Sequence, residues 1–143
     1  MKQTNTFQKQ NLFGQIHAVD TLQGVGPEYK ERLKSLGIVN TEQLWTADAE
    51  KVAENINTSV SAVRSWQNMA ELSCIKDIGP QYSELLERSG VHSVAQLKKY
   101  KATDLLKLIQ KKQDSLNINI QGNTPGELLV QNWIKQARSH KKS

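Results

Sequence analysis

Apolar residues recur along this chain at helical intervals and almost nowhere in alternation. Tyr29, Leu33 and Leu36 stand at i, i+4 and i+7, one face of a helix. Val60, Val63, Trp66 and Ala70 form a second stripe, and Leu129, Trp133 and Ala137 a third. Tyr82 and Leu86 repeat the first pattern; Ser89 takes the third position and Leu85 widens the stripe. The punctuation agrees with these spacings. Pro27 and Pro80 each follow a glycine, and proline suits a first helical turn because its missing N–H would lack an intrahelical partner. Gly37 and Gly90 fall where a left-handed C-cap is wanted, followed by Ile38 and Val91. Asn40-x-x-Gln43 and Ser93-x-x-Gln96 are capping boxes that open short helices. Further helices are predicted over about Thr46–Asn55 and Ala102–Gln110. The last of each series starts near Ser59 and at Thr124-Pro125-Gly126-Glu127. Asn117 to Ile120 alternates, but over too short a run for a strand. The pattern predicts an all-α fold.

The signals come in the same order twice. Leu22-Gln-Gly-Val-Gly-Pro-Glu-Tyr29 lies over Ile75-Lys-Asp-Ile-Gly-Pro-Gln-Tyr82, 53 positions later. The register holds through Leu33 and Leu86, Gly37 and Gly90, Leu44 and Leu97, and Ala49 and Ala102. Trp133 then stands 67 positions after Trp66, so the second copy carries an insertion, placed in the polar stretch Lys111 to Asn123. This organisation predicts a polar N-terminal tail over 1–18, either disordered or docked as an extra helix through Phe7, Leu12, Phe13 and Ile16. A first repeat over 19–72 follows, then a second over 73–143 with the insertion at 111–123 and a basic C-terminal tail.

Composition narrows the class. A chain of 143 residues, 37% hydrophobic, fits one compact unit with a modest core. No stretch approaches about 18 successive apolar residues, so no membrane span is expected. The polar start of the chain shows no secretory pattern, and the single cysteine, Cys74, suits a reducing cytoplasm; a cytoplasmic location is expected. The net charge of +5 is unevenly spread. Residues 1–71 hold seven Lys/Arg against eight Asp/Glu, whereas residues 72–143 hold twelve against six. A basic half favours phosphate-rich partners over a merely solvated surface only when a site accompanies it.

Leu22-Gln-Gly-Val-Gly-Pro resembles the helix-hairpin-helix motif, and the whole chain is similar to a family of tandem helix-hairpin-helix proteins catalogued only as a domain of unknown function. The similarity runs from about Asp20 to Arg138. It rests on Gly26-Pro27-Glu28-Tyr29, Leu33, Gly37-Ile38, Trp66, Ala70-Glu71-Leu72, Ile78-Gly79-Pro80-Gln81-Tyr82, Leu85-Leu86, Gly90-Val91 and Trp133-Ile134. The resemblance implies two helix-hairpin-helix (SAM-like) repeats packed into one unit. It also implies sequence-independent binding of DNA or RNA, with hairpin amides pressed against phosphates. The residues carrying that role are Gly24, Val25 and Gly26 in the first hairpin and Ile78 and Gly79 in the second. Lys30, Lys34, Lys76, Lys98, Lys99 and Lys101 supply charge. Three positions depart from the pattern. Asp77 replaces the first glycine of the second hairpin, Glu28 faces a helix start, and Lys30 and Ser83 occupy a place that often holds a small residue.

Competing readings bear on each feature. Gly24 and Gly26 also suit a purely structural tight turn. Tyr29, Tyr82, Trp66 and Trp133 sit on repeated stripes and are read as core rather than as stacking platforms. Trp45 aligns with Lys98, belongs to no repeated stripe and is the aromatic considered for a partner surface. Lys98-Lys99-Tyr100-Lys101 suits a nucleic-acid backbone. His17, His92 and His140 are scattered and no nucleophile context or P-loop is present, so no catalytic residue, metal or cofactor is expected. The alternative function is a protein-interaction or self-associating adaptor working through Trp45 or the insertion.

Overall fold

Local capping chemistry accounts for most of the helix ends in the computed structural model, which describes residues 14–116 and 125–140. Helix α1 (Pro27–Ser35) begins with proline in its first turn after an extended Gly26. It ends as Gly37 turns left-handed (φ +83°), so that Ile38 N–H reaches back to Leu33 O at 3.0 Å. In α2 (Thr41–Trp45) the Asn40 side chain accepts from Gln43 N–H at 2.8 Å and the Gln43 side chain accepts from Asn40 N–H. Helix α3 (Ala49–Ile56) starts three residues later than its apolar pattern suggests, because Asp48 accepts from the N–H groups of both Glu50 and Lys51. Helix α4 (Val60–Ser73) is capped by Ser59.

The second half follows the same order with α5 (Gly79–Arg88), α6 (Val94–Leu97), α7 (Ala102–Leu116) and α8 (Glu127–His140). Gly90 (φ +100°) ends α5, and Val91 N–H bonds Leu86 O at 2.9 Å. Ser93 accepts from Gln96 N–H at the start of α6. A 3-10 turn, Val19–Thr21, precedes the first glycine turn. Among the described residues there is no strand, only one isolated antiparallel bridge between Ala18 and Asn40.

Three expectations are corrected. The chain does not leave its helical path at Lys111: α7 continues to Leu116. Lys111, Lys112 and Gln113 are straight-chain helix formers, and Lys112 and Gln113 are half-buried beyond the core residue Ile109. The rest of the expected insertion, 117–123, lies outside the described residues, as do Thr124, Phe7, Leu12, Phe13, Lys141 and Lys142. Helix α8 opens at Glu127, with Gly126 O accepting the first bond from Val130 N–H. Nor does the N-terminal tail reach residue 18. Gln15 N–H bonds Cys74 O at 2.9 Å, His17 N–H bonds the Thr41 hydroxyl, and His17 Nε2 donates to Ser73 O at 3.1 Å.

The helices enclose two adjoining cores. The first gathers Val19, Leu22, Val25, Leu33, Leu44, Ile56, Val63 and Trp66; the second gathers Leu72, Ile78, Leu85, Leu86, Leu97, Leu105, Ile109 and Trp133. Tyr29 meets Trp66 edge-on with ring centroids 5.3 Å apart, and Tyr82 meets Trp133 at 5.2 Å, so the repeated aromatics are spent on packing. Trp45 is half-buried against both cores. It breaks the repeat because it fills the seam between the halves, a place with no counterpart. Helix α4 ties the halves together: Val63, Trp66, Met69 and Ala70 enter the first core and Leu72 the second. Its Asn68 donates to Glu87 (3.4 Å) and its Glu71 accepts from Val94 N–H (3.0 Å). Leu36, the third member of the first apolar stripe, is 40% exposed, whereas its counterpart Ser89 is buried.

Candidate nucleic-acid interface

Leu22 plugs the first core, and the chain must then reverse into α1 within four residues. Gly24 makes the reversal at φ +96°, and a Cβ there would stand 3.0 Å from Trp66 Nε1. Left-handed backbone and close approach thus both require glycine. Val25 is buried and its N–H already bonds Leu22 O at 3.2 Å, so its amide does not point at a ligand as expected. The N–H groups of Gly24, Gly26, Glu28 and Tyr29 find no partner among the described residues, and α1 has no side-chain cap. These donors surround the positive end of the helix dipole. Glu28 does not close this end: its carboxylate pairs with Arg32 at 2.7 Å, one turn on. Lys30 is exposed but held to Asp20 at 3.4 Å, and Lys34 is exposed with no carboxylate partner among the described residues.

The second turn is built differently. Asp77 takes the left-handed conformation at φ +76°, and Gly79 follows at φ +62°, where its counterpart Gly26 is at φ −82°. Asp is among the few side chains that tolerate this region. Helix α8 clamps the turn: Asn132 donates to the Asp77 carboxylate at 2.8 Å, Trp133 Nε1 to Asp77 O at 3.2 Å, and Gln136 to Lys76 O at 3.1 Å. Ile78 is buried and its N–H bonds Ile75 O, so it too is no ligand donor. Gly79 is half-buried, and Lys76 is exposed.

The second turn (Asp77, Ile78 and Gly79) lines a cleft of about 690 Å³ together with Thr21 and Gln23, which lead into the first turn; Gly24, Val25 and Gly26 do not line it. Its charged walls are Asp77 and Glu84, and none of the candidate lysines lines it. The cleft therefore belongs to the second turn, and the candidate cations are not brought to it.

Charge collects elsewhere. The exposed Lys99 and Lys101 flank half-buried Tyr100, and Lys98 is half-buried with its carbonyl accepting from Arg138 Nε at 3.1 Å. Lys135 and Arg138 of α8 line a groove of about 430 Å³ together with Tyr100 and Lys101. These two were missed as site residues because nothing in the local sequence shows that α8 returns beside the α6–α7 corner. Over the rest of the surface many cations are matched. Arg32, Arg64 and Arg88 pair with Glu28, Glu50 and Glu84 at 2.7, 3.7 and 3.3 Å, and His92 Nδ1 hydrogen-bonds the Glu87 carboxylate at 2.7 Å. Lys99, Lys101, Lys135 and Arg138 have no such partner among the described residues. Burial, and then the nearby Glu71 carboxylate, pushes the Cys74 thiol up to about 12, so it stays protonated and unreactive at neutral pH. Among the described residues no three His, Cys, Asp or Glu side chains converge on a metal-sized space, and no helix is long and apolar enough to cross a membrane.

Fold and surface define a small all-helical protein with two glycine–proline turns and a basic corner whose cations have no carboxylate partner among the described residues. The chain belongs to the family described as a domain of unknown function (DUF4332), which matches residues 23–140. A stretch of 59 residues, 41% of the chain, is 37% identical to part of halomucin from Haloquadratum walsbyi. A stretch of 51 residues, 36% of the chain, is 39% identical to part of the poly(3-hydroxyalkanoate) polymerase subunit PhaC from Haloferax mediterranei. These stretches amount to 1% and 10% of the two relatives, respectively. No solved structure matches the chain significantly.

Proposed function

We propose that the chain is a pair of helix-hairpin-helix repeats forming a non-enzymatic module that binds DNA or RNA without sequence preference. The observation that carries this reading is the first glycine turn. Exposed Gly24 and Gly26 and the uncapped start of α1 present four N–H groups without partners among the described residues, an arrangement suited to a phosphate oxygen. Lys34, in the last turn of α1, adds charge farther along that helix, and Lys76, Lys98, Lys99 and Lys101 extend the basic surface across the second half. The repeat reading draws support from the matched left-handed positions Gly37 and Gly90, the paired Tyr–Trp contacts, and relatives whose matched stretches, 59 and 51 residues, lie near the 53-residue repeat spacing. The first turn is the stronger phosphate site. Asp77 and Glu84 make the second repulsive to an anion.

A mobility-shift titration with a labelled duplex and a labelled single strand tests the proposal. Four phosphate contacts would make affinity fall by about two orders of magnitude between roughly 50 and 200 mM salt. Absence of binding to either probe at the lower salt refutes it. One observation favours the alternative, a protein-interaction adaptor: Leu128, near the start of α8, is 81% exposed. That reading expects an association that survives nuclease and high salt and is lost in Leu128→Lys.

A further inference from the structure

Lys99, Lys101, Lys135 and Arg138, four cations without a carboxylate partner among the described residues, have an aromatic ring between them. Tyr100 lines two shallow grooves. One, of about 290 Å³, is formed with Gly90, Gln96 and Lys99. The other, of about 430 Å³, is formed with Lys101, Ala102, Gln131, Ile134, Lys135 and Arg138. No carboxylate lines either groove. The ring is half-buried on the second core, which holds it in place, and buried Ile134 extends the apolar floor beside it. Arg138 is positioned by its Nε bond to Lys98 O, which leaves the terminal guanidinium nitrogens for a ligand.

We propose that the Tyr100 corner is a single-strand site, where an unpaired base lies against Tyr100 and flanking phosphates run from Lys99 across to Lys101, Lys135 and Arg138. This rests on the reading of the chain as a nucleic-acid binder, and it adds a second site of different specificity. A flat ring between two cation-edged grooves fits a chain whose planar groups and charges alternate, as bases and phosphates do. A duplex keeps its base faces stacked inside and offers Tyr100 nothing. An acidic peptide would bring carboxylates but no planar group for the ring. Three of the four cations are lysines, which act as point charges and suit a backbone read without register. The division of labour is then clear: the first glycine turn meets a phosphate of either form, and the Tyr100 corner selects the unpaired strand.

The test compares the full chain with four variants by fluorescence anisotropy on a labelled twelve-nucleotide thymidine strand and a blunt duplex of equal length. Tyr100→Leu keeps an apolar side chain on the core but removes the ring; it should weaken single-strand binding by about 5-fold or more and leave duplex binding unchanged. Tyr100→Phe keeps the ring and should bind like the parent, which separates loss of stacking from loss of fold. Lys101→Glu/Lys135→Glu, both on the surface, should weaken single-strand binding and lower the magnitude of its log–log salt slope by about 1.4, two contacts at about 0.7 each. Single-strand affinity within twofold of the parent in both Tyr100→Leu and the double charge variant overturns the single-strand site and leaves the module reading intact. A parent that binds neither probe overturns both. Duplex binding that survives Gly24→Ala, with single-strand binding still lost in Tyr100→Leu, overturns the glycine-turn assignment alone.

Discussion

The two glycine turns occupy equivalent places and obtain their shape by opposite means. The first relies on the absence of a side chain: Gly24 lies so close to Trp66 that a Cβ would meet the indole nitrogen at 3.0 Å. The second relies on the presence of one: Asp77 accepts the left-handed backbone and is anchored by Asn132, while Trp133 donates to its carbonyl. One indole thus excludes a side chain and the other holds the main chain. A turn freed of obligations to the rest of the fold can offer its amides to a ligand. A turn clamped by α8 serves the architecture first.

Substitutions in the two halves would break or sharpen this contrast. The largest effects belong to the tryptophans. Trp66→Ala and Trp133→Ala should each cost about 3–5 kcal/mol in urea unfolding, with Trp133 at the upper end because Asp77 O loses its donor as well. Equal costs would argue that the clamp contributes nothing. The turns themselves should respond in opposite ways. Gly24→Ala should lose roughly 2 kcal/mol through left-handed strain and the Trp66 contact. Asp77→Gly should stay within about 1 kcal/mol of the parent, since relief of strain offsets the lost Asn132 bond. The seam gives a pH effect. The Cys74 thiol is raised from 9.0 to about 12 in the fold, so the unfolded chain releases its proton first as pH rises. Stability should therefore fall between about pH 9 and pH 12 by more in the parent than in Cys74→Ala, measured by urea midpoints at matched pH. The smallest effects come from one pair of equivalent positions. Ser89 Oγ is buried with no hydrogen-bond partner among the described residues, so Ser89→Ala should gain about 1 kcal/mol. Leu36→Ser, at the exposed counterpart, should change stability by no more than about 0.5 kcal/mol.

Features written in neighbouring residues are legible in the sequence. The capping box at Asn40, the left-handed turns at Gly37 and Gly90 and the proline-led start of α1 depend on groups within six positions of one another, where chain geometry leaves few alternatives. What failed to show depends on distant partners. Trp45 read as unattached because its partners are the two cores, and a seam has no equivalent inside either repeat. Leu36 read as core from its spacing, yet at a helix end the stripe has already turned outward, while Ser89 is covered by neighbours from elsewhere. The candidate site divided along the same line. Gly24 and Gly26 were visible, as were Lys99 and Lys101. The consumption of the Val25 and Ile78 amides, and the return of Lys135 and Arg138 beside Tyr100, required the tertiary fold.

Helix α4 carries a consequence for how the molecule comes apart. Its early turns belong to one cluster of side chains and its final turn to the other, with Glu71 bonded across to Val94. A cut at the boundary between the copies would leave the upstream piece with a bare helix end and deprive the downstream piece of its lid. Neither fragment keeps a closed interior, so heating should melt the intact chain in one concerted step.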